Sequence, residues 1–162
     1  MDSINSFEPV IDEQSKIIIL GTMPGVQSLE KQQYYANPRN QFWKIIFSLL
    51  EESISISYAD KKLFLLQNGI ALWDVIDNCH RVGSLDSDIK NEMANDFKNL
   101  FKNYSNIKTV FFNGQKAFKI FKKEIGLDFV DKKFITLPST SPAYTIAFDK
   151  KIESWKEILN EL

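Results

Sequence analysis

The stretch Ile17–Trp43, IIILGTMPGVQSLEKQQYYANPRNQFW, decides the fold and raises the question of function. Its first four residues are apolar and mostly β-branched, and they stop at Gly21, which is the pattern of a short buried strand. The polar segment that follows runs to Gln41 before the sequence turns apolar again at Phe42. Polar loops of this length in compact domains are functional or disordered, and the aromatic content of this one argues against disorder. We therefore expect the loop to form part of a functional site.

The rest of the chain alternates between short apolar strands and amphipathic helices. This alternation predicts an α/β fold, a three-layer αβα sandwich around a four-stranded, largely parallel sheet, in a single domain over residues 1–162. Ligands of such sheets bind beyond the carboxyl ends of the strands, which selects the loops 21–41, 74–83, 113–114 and 138–145. Further strands are expected over 70–76, 109–112 and 134–137, and helices over 40–52, 58–67, 86–104, 114–124 and 150–162.

The composition is that of a soluble globular protein without a strong overall charge. The chain of 162 residues is 44% hydrophobic and 25% charged, and its formal net charge is −1. Net charge therefore points neither to nucleic acid nor to a membrane, and it leaves open a local basic face. The single cysteine, Cys79, excludes an internal disulfide, and no apolar run approaches the roughly 20 residues that span a bilayer. The N-terminus has no apolar stretch typical of a signal peptide, so a cytoplasmic protein is expected.

The candidate loops contain amides, hydroxyls and aromatic rings instead of the common catalytic groups. His80 is the only histidine, and the sequence has no HExxH, paired Cys-x-x-Cys, GxGxxG or Walker A motif. These absences argue against the common zinc, dinucleotide and P-loop enzymes. Amides next to flat rings are suited to reading a nucleobase by its edges and faces, and exposed backbone N–H groups suit phosphate contacts.

Three motifs together resemble the uracil-DNA glycosylase superfamily. They are MPG (23–25) after the first strand, NPRNQFW (37–43) at the end of the long loop, and PSTSPA (138–143) after the last strand. The set is most similar to the hypoxanthine-DNA glycosylase (DNA-deoxyinosine glycosylase) branch, which is related to the mismatch-specific uracil-DNA glycosylases. The chain departs from the family at two positions. Asn37 stands where relatives commonly have His, and Ser139 stands where the uracil enzymes place a catalytic His.

The resemblance implies a monofunctional glycosylase, expected to be a monomer, that flips a deaminated base out of DNA and hydrolyses its N-glycosidic bond. Hypoxanthine in deoxyinosine is the expected base. Uracil or xanthine is one alternative, and a superfamily member that binds nucleic acid without hydrolysis is another. The motifs contain no lysine nucleophile, so lyase chemistry is not expected, and neither a cofactor nor a metal is implied.

The resemblance assigns Asn40 to position the attacking water, although Asn is also a good helix cap. Asn113 is expected to read the base, because a carboxamide can accept from N1–H and donate to O6 of hypoxanthine. The alternative for Asn113 is a plain turn with Gly114. Further contacts with the base are expected from Met23, Tyr35 and Phe42.

The loop after the last strand is expected to hold the DNA. Its hydroxyls and N–H groups would contact the phosphates, and its tip would enter the space that the flipped nucleotide leaves. The residues with these expected roles are Ser139, Thr140, Ser141, Pro142, Ala143 and Tyr144. Outside the motifs, Asp74 is expected to be structural, and His80 and Arg81 are expected to form a solvated loop.

Overall fold

The computed structural model describes residues 3–55 and 57–162, so Met1, Asp2 and Ile56 lie outside the described ranges. In chain order its strands are β1 (Ser3–Asn5), β2 (Ile17–Gly21), β3 (Ile70–Asp74), β4 (Ile76–His80), β5 (Lys90–Ala94), β6 (Thr109–Asn113) and β7 (Lys133–Leu137). Its α-helices are α1 (Val26–Lys31), α2 (Phe42–Leu49), α3 (Tyr58–Gln67), α4 (Phe97–Asn103), α5 (Gln115–Glu124) and α6 (Phe148–Trp155). Short 3₁₀ helices occupy Asp86–Asp88 and Lys156–Glu161.

Four strands form the central sheet in the order β3-β2-β6-β7, and every neighbouring pair is parallel. The register places Gly21 of β2 beside Asp74 of β3, and Asn113 of β6 beside Leu137 of β7. The carboxyl ends of all four strands therefore meet at one edge of the sheet. The prediction of a four-stranded, largely parallel sheet is confirmed.

Helices cover both faces of this sheet, because its buried strands carry apolar side chains on both sides. Along β2, Ile17 and Ile19 belong to the core that α2, α3 and α6 complete. Ile18 and Leu20 belong to the opposite core, which α4 and α5 complete. All four of these side chains are fully buried. The expected three-layer αβα sandwich is therefore confirmed.

The segment 76–103 corrects the expectation of one long helix over 86–104. A second, antiparallel sheet forms here in the order β1-β4-β5, and α4 begins only at Phe97. Asp96 caps α4, since its carboxylate accepts a hydrogen bond from the N–H of Asn99 (3.1 Å). The spacing of Ile89, Met93 and Phe97 predicts a helix that turns these side chains inward, but Met93 lies on β5 and is 61% exposed. The helical spacing of apolar residues before Phe97 is therefore coincidental.

Three smaller differences concern the ends of elements. The expected strand over 70–76 divides at Val75 into β3 and β4, and the polar loop 21–41 contains the short helix α1. The last helix begins at Phe148 and changes to a 3₁₀ helix at Lys156. Within residues 3–55 and 57–162, none of the helices is long and apolar enough to cross a membrane.

Candidate functional site

A cleft of about 510 Å³ lies across the carboxyl ends of the four parallel strands. Gly21, Asp74 and Asn113 line it from the ends of β2, β3 and β6, and Thr140 lines it from the loop after β7. Residues from all four strand-end loops selected from the sequence thus contribute to one cleft. The segment 84–86, which precedes the small antiparallel strand β5, closes one side.

One side of the cleft is a chain of hydrogen bonds that we call the amide wall, formed by Asn40, Thr140, Asn113 and Tyr35. Asn113 Nδ2 donates to the hydroxyl oxygens of Tyr35 (2.9 Å) and Thr140 (3.0 Å), and Asn113 Oδ1 accepts from the N–H of Thr140 (2.9 Å). The Thr140 hydroxyl in turn donates to Oδ1 of Asn40 (2.8 Å). One fully buried hydroxyl therefore joins the two asparagines that the sequence singled out.

The backbone fixes the orientation of the Asn40 carboxamide. Asn40 Oδ1 also accepts from the N–H of Phe42 (3.0 Å), a donor that cannot pair with an amide N–H group. Nδ2 is thus the free end of the amide, and it has no hydrogen-bond partner among residues 3–55 and 57–162. Since Asn40 lines the cleft, one end of its amide stabilises the start of α2 while the other end is available to a ligand.

Asn37, the first residue of the NPRNQFW motif, builds the turn before Asn40. Its Oδ1 accepts from the N–H of Arg39 (2.9 Å), and its carbonyl accepts from the N–H of Asn40 (2.9 Å). Asn side chains favour such turns because they bond to the backbone two residues further on. Asn37 therefore helps to present Asn40 at the edge of the cleft.

Tyr35 provides an aromatic surface in the cleft. Its ring stacks on Phe42, with centroids 4.1 Å apart and an interplanar angle of 17°. Phe42 is fully buried and does not line the cleft, which corrects the expected base contact of this residue: it supports Tyr35 from behind. Met23, by contrast, lines the cleft, and its contact with the base stays a prediction. The backbone φ of Tyr35 is 54°. Residues other than Gly adopt this left-handed conformation at some cost in free energy, often at functional sites.

Hydrogen bonds within the loop after β7 fix the side chains that it places at the cleft. Ser139 Oγ accepts from the N–H of Ser141 (3.1 Å), and Ser141 Oγ accepts from the N–H of Ala143 (3.1 Å). Both hydroxyl protons therefore remain available as donors. Pro142 is half-buried, whereas Ala143 and Tyr144 are exposed, Tyr144 at 45%. The expected DNA-contacting residues other than Thr140 thus lie accessible at one lip of the cleft.

Thr140 differs from its neighbours in this loop. Its side chain is fully buried, and both its hydroxyl and its N–H bond to the asparagines of the amide wall. This placement corrects the expected phosphate contact of Thr140, because neither group is free to meet a phosphate. Thr140 instead connects Asn40 and Asn113 through its hydroxyl.

Two residues of α6 bond to the backbone of the same loop. The motifs did not indicate either of them. Lys151 is almost completely buried, and its Nζ donates to the carbonyl of Ser141 (3.3 Å) and lies 5.5 Å from the ring centroid of Tyr144. Burial lowers the pKa of Lys151. Trp155 Nε1 donates to the carbonyl of Pro138 (2.9 Å). The local sequence gives no signal for these contacts, since they depend on where α6 packs.

A charged group lies next to the amide wall, and we call it the carboxyl wall: Asp74 and Asp86, which line the cleft, together with the nearby guanidinium of Arg81. Asp74 is 4% exposed, and its Oδ2 is buried with no hydrogen-bond partner among the described residues. Burial is the main cause that raises the pKa of Asp74 to about 7; the negative charge of Asp86 adds to this, and Arg81 opposes it. Burial also raises the pKa of Asp86, against the opposing effects of Thr22, Arg81 and Lys116.

Arg81 corrects the expectation of a solvated loop at this position. It is 5% exposed, its Nε donates to the carbonyl of Gly83 (2.8 Å), and one NH group donates to the carbonyl of Pro24. Its other NH group is buried with no partner in the part of the chain that the structure describes. Arg81 therefore places a buried positive charge between the loop after β2 and the loop after β4. In the same described ranges, no group of three or more His, Cys, Asp or Glu side chains is arranged to hold a metal ion.

Comparisons with known proteins agree with this arrangement. The family model of the uracil DNA glycosylase superfamily matches residues 8–162. A hypoxanthine DNA glycosylase of Methanosarcina acetivorans is 38% identical over 154 residues, which is 94% of this chain and 95% of that protein. A second hypoxanthine DNA glycosylase, from Methanosarcina barkeri, is 44% identical over 112 residues, or 68% of this chain and 71% of the relative. The solution NMR structure of a candidate uracil DNA glycosylase from Methanosarcina acetivorans superposes with a TM-score of 0.81 at 33% identity, covering 97% of this chain and 96% of the other.

Proposed function

Since this chain belongs to the uracil DNA glycosylase superfamily, we propose that it is a monofunctional DNA glycosylase that removes hypoxanthine from deoxyinosine. One observation carries the proposal: Asn40 of the NPRNQFW motif and Asn113 at the end of β6 are joined through Thr140 along a cleft at the strand ends. A cleft of about 510 Å³ falls in the range of small-ligand sites, about 300–1,000 Å³, and suits a base flipped out of the duplex.

In this mechanism Asn40 holds the attacking water. Cleavage of the C1′–N9 bond develops positive charge on the sugar, so a water needs correct placement more than strong activation. Asn40 Nδ2 has no other partner in the described ranges and can donate to one lone pair of that water. The other lone pair of the water is then free to attack C1′. Because Oδ1 is bonded to the N–H of Phe42 and to Thr140, the donor is held in one orientation.

Asn113 reads the edge of the base in the same proposal. Both of its amide hydrogens are bonded to Tyr35 and Thr140, whereas Oδ1 accepts from a single donor and keeps one lone pair. That lone pair can accept from N1–H of hypoxanthine, while adenine presents an unprotonated N1 that repels it. Donation from Asn113 to O6 requires one of the two bonds of Nδ2 to be exchanged. The base packs against Met23 and Tyr35, both of which line the cleft.

The loop after β7 holds the DNA. The free hydroxyl protons of Ser139 and Ser141 can donate to phosphate oxygens, which only accept hydrogen bonds. Pro142 and Ala143 enter beside the extruded nucleotide, and the exposed ring of Tyr144 is placed to fill the space that it leaves. Flipping costs less where pairing is already weak, and a deaminated base in a mismatch meets that condition.

An assay of abasic-site formation tests the proposal. Duplexes with one deoxyinosine, deoxyuridine, deoxyxanthosine or deoxyadenosine are incubated with excess protein and then heated in alkali, which breaks the strand at abasic sites. We expect the deoxyinosine strand to break. The break should appear only after the alkali step, because a monofunctional enzyme leaves the backbone intact. Breakage of only the uracil or xanthine duplex would assign the alternative base. Tight binding without breakage of any duplex would assign the alternative of a binding protein without hydrolysis.

A further inference from the structure

The carboxyl wall contains a group that the proposed chemistry has not used. Asp74 lines the cleft from the end of β3, yet its Oδ2 is buried and lacks a hydrogen-bond partner among residues 3–55 and 57–162. Buried polar atoms without partners are rare, and each calls for an explanation such as strain, a catalytic role or a bound water or ion. Asp74 is therefore a candidate ligand-binding group for this cleft.

The carboxyl group of Asp74 lies very close to Gly21, the last residue of β2. A Cβ on Gly21 would lie 2.5 Å from Asp74 Oδ1 and 3.0 Å from the Tyr35 hydroxyl oxygen. Both groups therefore converge over the one strand-end residue that has no side chain. Gly21 and Asp74 are also paired in the sheet, which fixes the carboxyl beside β2.

The strand order places Asp74 away from Asn40. Asp74 ends β3 at one margin of the sheet, whereas Asn40 bonds to Thr140, which follows β7 at the other margin and bonds in turn to Asn113 at the end of β6. If Asn40 holds the water at C1′, the opposite margin faces the part of the base that is farthest from the sugar. In hypoxanthine this part carries O6 and N1–H.

The charges around Asp74 favour its neutral form at neutral pH. One buried guanidinium, Arg81, faces two carboxyls, Asp74 and Asp86, and can balance only one of them. Burial is the largest cause that raises the pKa of Asp74 to about 7. Tyr34, Tyr35 and Tyr58 also face Asp74, and burial raises the pKa of each, so these hydroxyls stay protonated throughout the pH range that matters.

We propose that Asp74 binds the base as a neutral carboxylic acid whose O–H donates a hydrogen bond to the carbonyl oxygen that deamination creates, O6 in hypoxanthine. This inference rests on the proposed glycosylase function and names the group that recognises the deaminated edge. The parent base, adenine, carries an amino group at this position, which is a poor acceptor for the carboxylic O–H.

The same hydrogen bond assists the reaction. When the C1′–N9 bond breaks, its electron pair stays on the base, and the negative charge spreads to O6, where a donor stabilises it. The proton remains on Asp74 during this step. The attacking water gives its oxygen to C1′ and loses a proton to solvent, and the released base anion takes up a proton from solvent. An ionised Asp74 would lack the donor and would repel the same oxygen.

Single-turnover excision from a deoxyinosine duplex, measured between pH 5.5 and 8.5, tests the inference. We expect the wild-type rate to fall above about pH 7, approaching tenfold per pH unit as the carboxyl ionises. Asp74→Asn keeps a donor that does not ionise, so its rate should stay level across this range and exceed the wild-type rate at pH 8.5. Asp74→Ala lacks any donor and should be at least about tenfold slower than wild type at pH 6.

A second variant protects the test against a folding defect of Asp74→Asn. Asp86→Asn removes the negative charge that helps to keep Asp74 neutral, so the fall of its rate should begin at lower pH than in the wild-type protein. An unchanged fall of the rate with pH in both Asp74→Asn and Asp86→Asn would overturn the role of Asp74 while the glycosylase function stands. Folded Asp74→Asn protein without excision at any pH would also overturn it. Absence of excision by the wild-type protein would instead contradict the proposed function itself.

Discussion

The amide wall and the carboxyl wall line the same cleft, but their polar groups are satisfied to different degrees. In the amide wall, the side chain of Asn113 makes three hydrogen bonds and the Thr140 hydroxyl makes two. In the carboxyl wall, one oxygen of Asp74 and one NH group of Arg81 are buried with no partner in the described ranges. The first wall leaves only Nδ2 of Asn40 and one lone pair of Asn113 Oδ1 for a ligand, whereas the second contains buried groups that form no bond at all in the described ranges.

This difference separates positioning from recognition. A satisfied polar network is rigid and holds its members in one geometry, as the placement of a reacting water requires. An unsatisfied buried group costs free energy, about 1–3 kcal/mol, which a ligand can recover by bonding to it. We therefore expect substitutions in the amide wall to slow the chemical step, and substitutions near the carboxyl wall to change the response to base and to pH.

The largest expected effect is at Asn40, the residue of the amide wall that we propose to hold the attacking water. Asn40→Ser should keep an acceptor for the N–H of Phe42 but lose the amide N–H, whereas Asn40→Ala loses both. Both variants should excise hypoxanthine at least roughly 10²-fold more slowly than wild type in single turnover, because the water is no longer placed. DNA affinity should be nearly unchanged. If the excision rate of the serine variant stays within a few-fold of the wild-type rate, Asn40 serves only as a helix cap.

Thr140→Val should have the next largest effect, because valine has nearly the same shape but no hydroxyl. It leaves Oδ1 of Asn40 and Nδ2 of Asn113 with one partner fewer, which should destabilise the fold by about 1–3 kcal/mol. We expect the excision rate to fall about 10- to 100-fold as the two asparagines lose their common partner. Thr145→Val, an exposed position in the same loop, is the matched control for both the melting temperature and the rate. Equal rates in the two variants would show that the bridge has no role in positioning.

Gly21→Ala tests the place where the two walls meet, because Gly21 lies next to both Asp74 and Tyr35. The new methyl group would lie 2.5 Å from Asp74 Oδ1, so the carboxyl must move. Such overpacking typically costs about 1–3 kcal/mol, and we expect a rate on deoxyinosine about tenfold lower as Asp74 leaves the base edge. Gly25→Ala is the control, because its nearest contact, the Ser84 hydroxyl oxygen, would be 3.3 Å away. If Gly21→Ala lowers the melting temperature but leaves the rate unchanged, the position of Asp74 does not matter for excision.

The smallest effect is expected in the loop after β7, which we propose to hold the DNA. Ser139→Ala and Ser141→Ala each remove one free O–H donor, which should weaken binding by about 0.5–1.5 kcal/mol, or about 2- to 10-fold in Kd. Fluorescence anisotropy at several salt concentrations measures this, with Thr145→Ala as control. The dependence on salt should stay the same as in wild type, because serine is neutral and phosphate contacts by charged groups set that slope. Unchanged affinity in both serine variants would remove the assigned phosphate contacts.

The sequence predicted the central sheet and the amide wall better than the carboxyl wall. Buried strands ended by Gly21 and Asn113 are local signals, and the rule that ligands bind at strand ends places their loops together. By contrast, the burial of Arg81 depends on the small antiparallel sheet, which was missed because the spacing of Ile89 and Met93 imitates a helix. The partners of Thr140 and the contact of Lys151 with Ser141 also arise only from tertiary packing. Phe42 stands in a motif, yet only the structure shows that it supports Tyr35 from behind.

The most direct test of the central claim is to identify what the protein releases from a deoxyinosine duplex in a single turnover. With the protein in excess over DNA, we predict one equivalent of free hypoxanthine, detected by chromatography and mass spectrometry, together with one abasic site in an unbroken strand. When the reaction runs in ¹⁸O-labelled water, the label should appear at C1′ of the abasic sugar, because water attacks there. A duplex with deoxyadenosine in the same position should release no base. Absence of free hypoxanthine from a duplex that the protein binds would contradict the claim that this cleft hydrolyses the N-glycosidic bond.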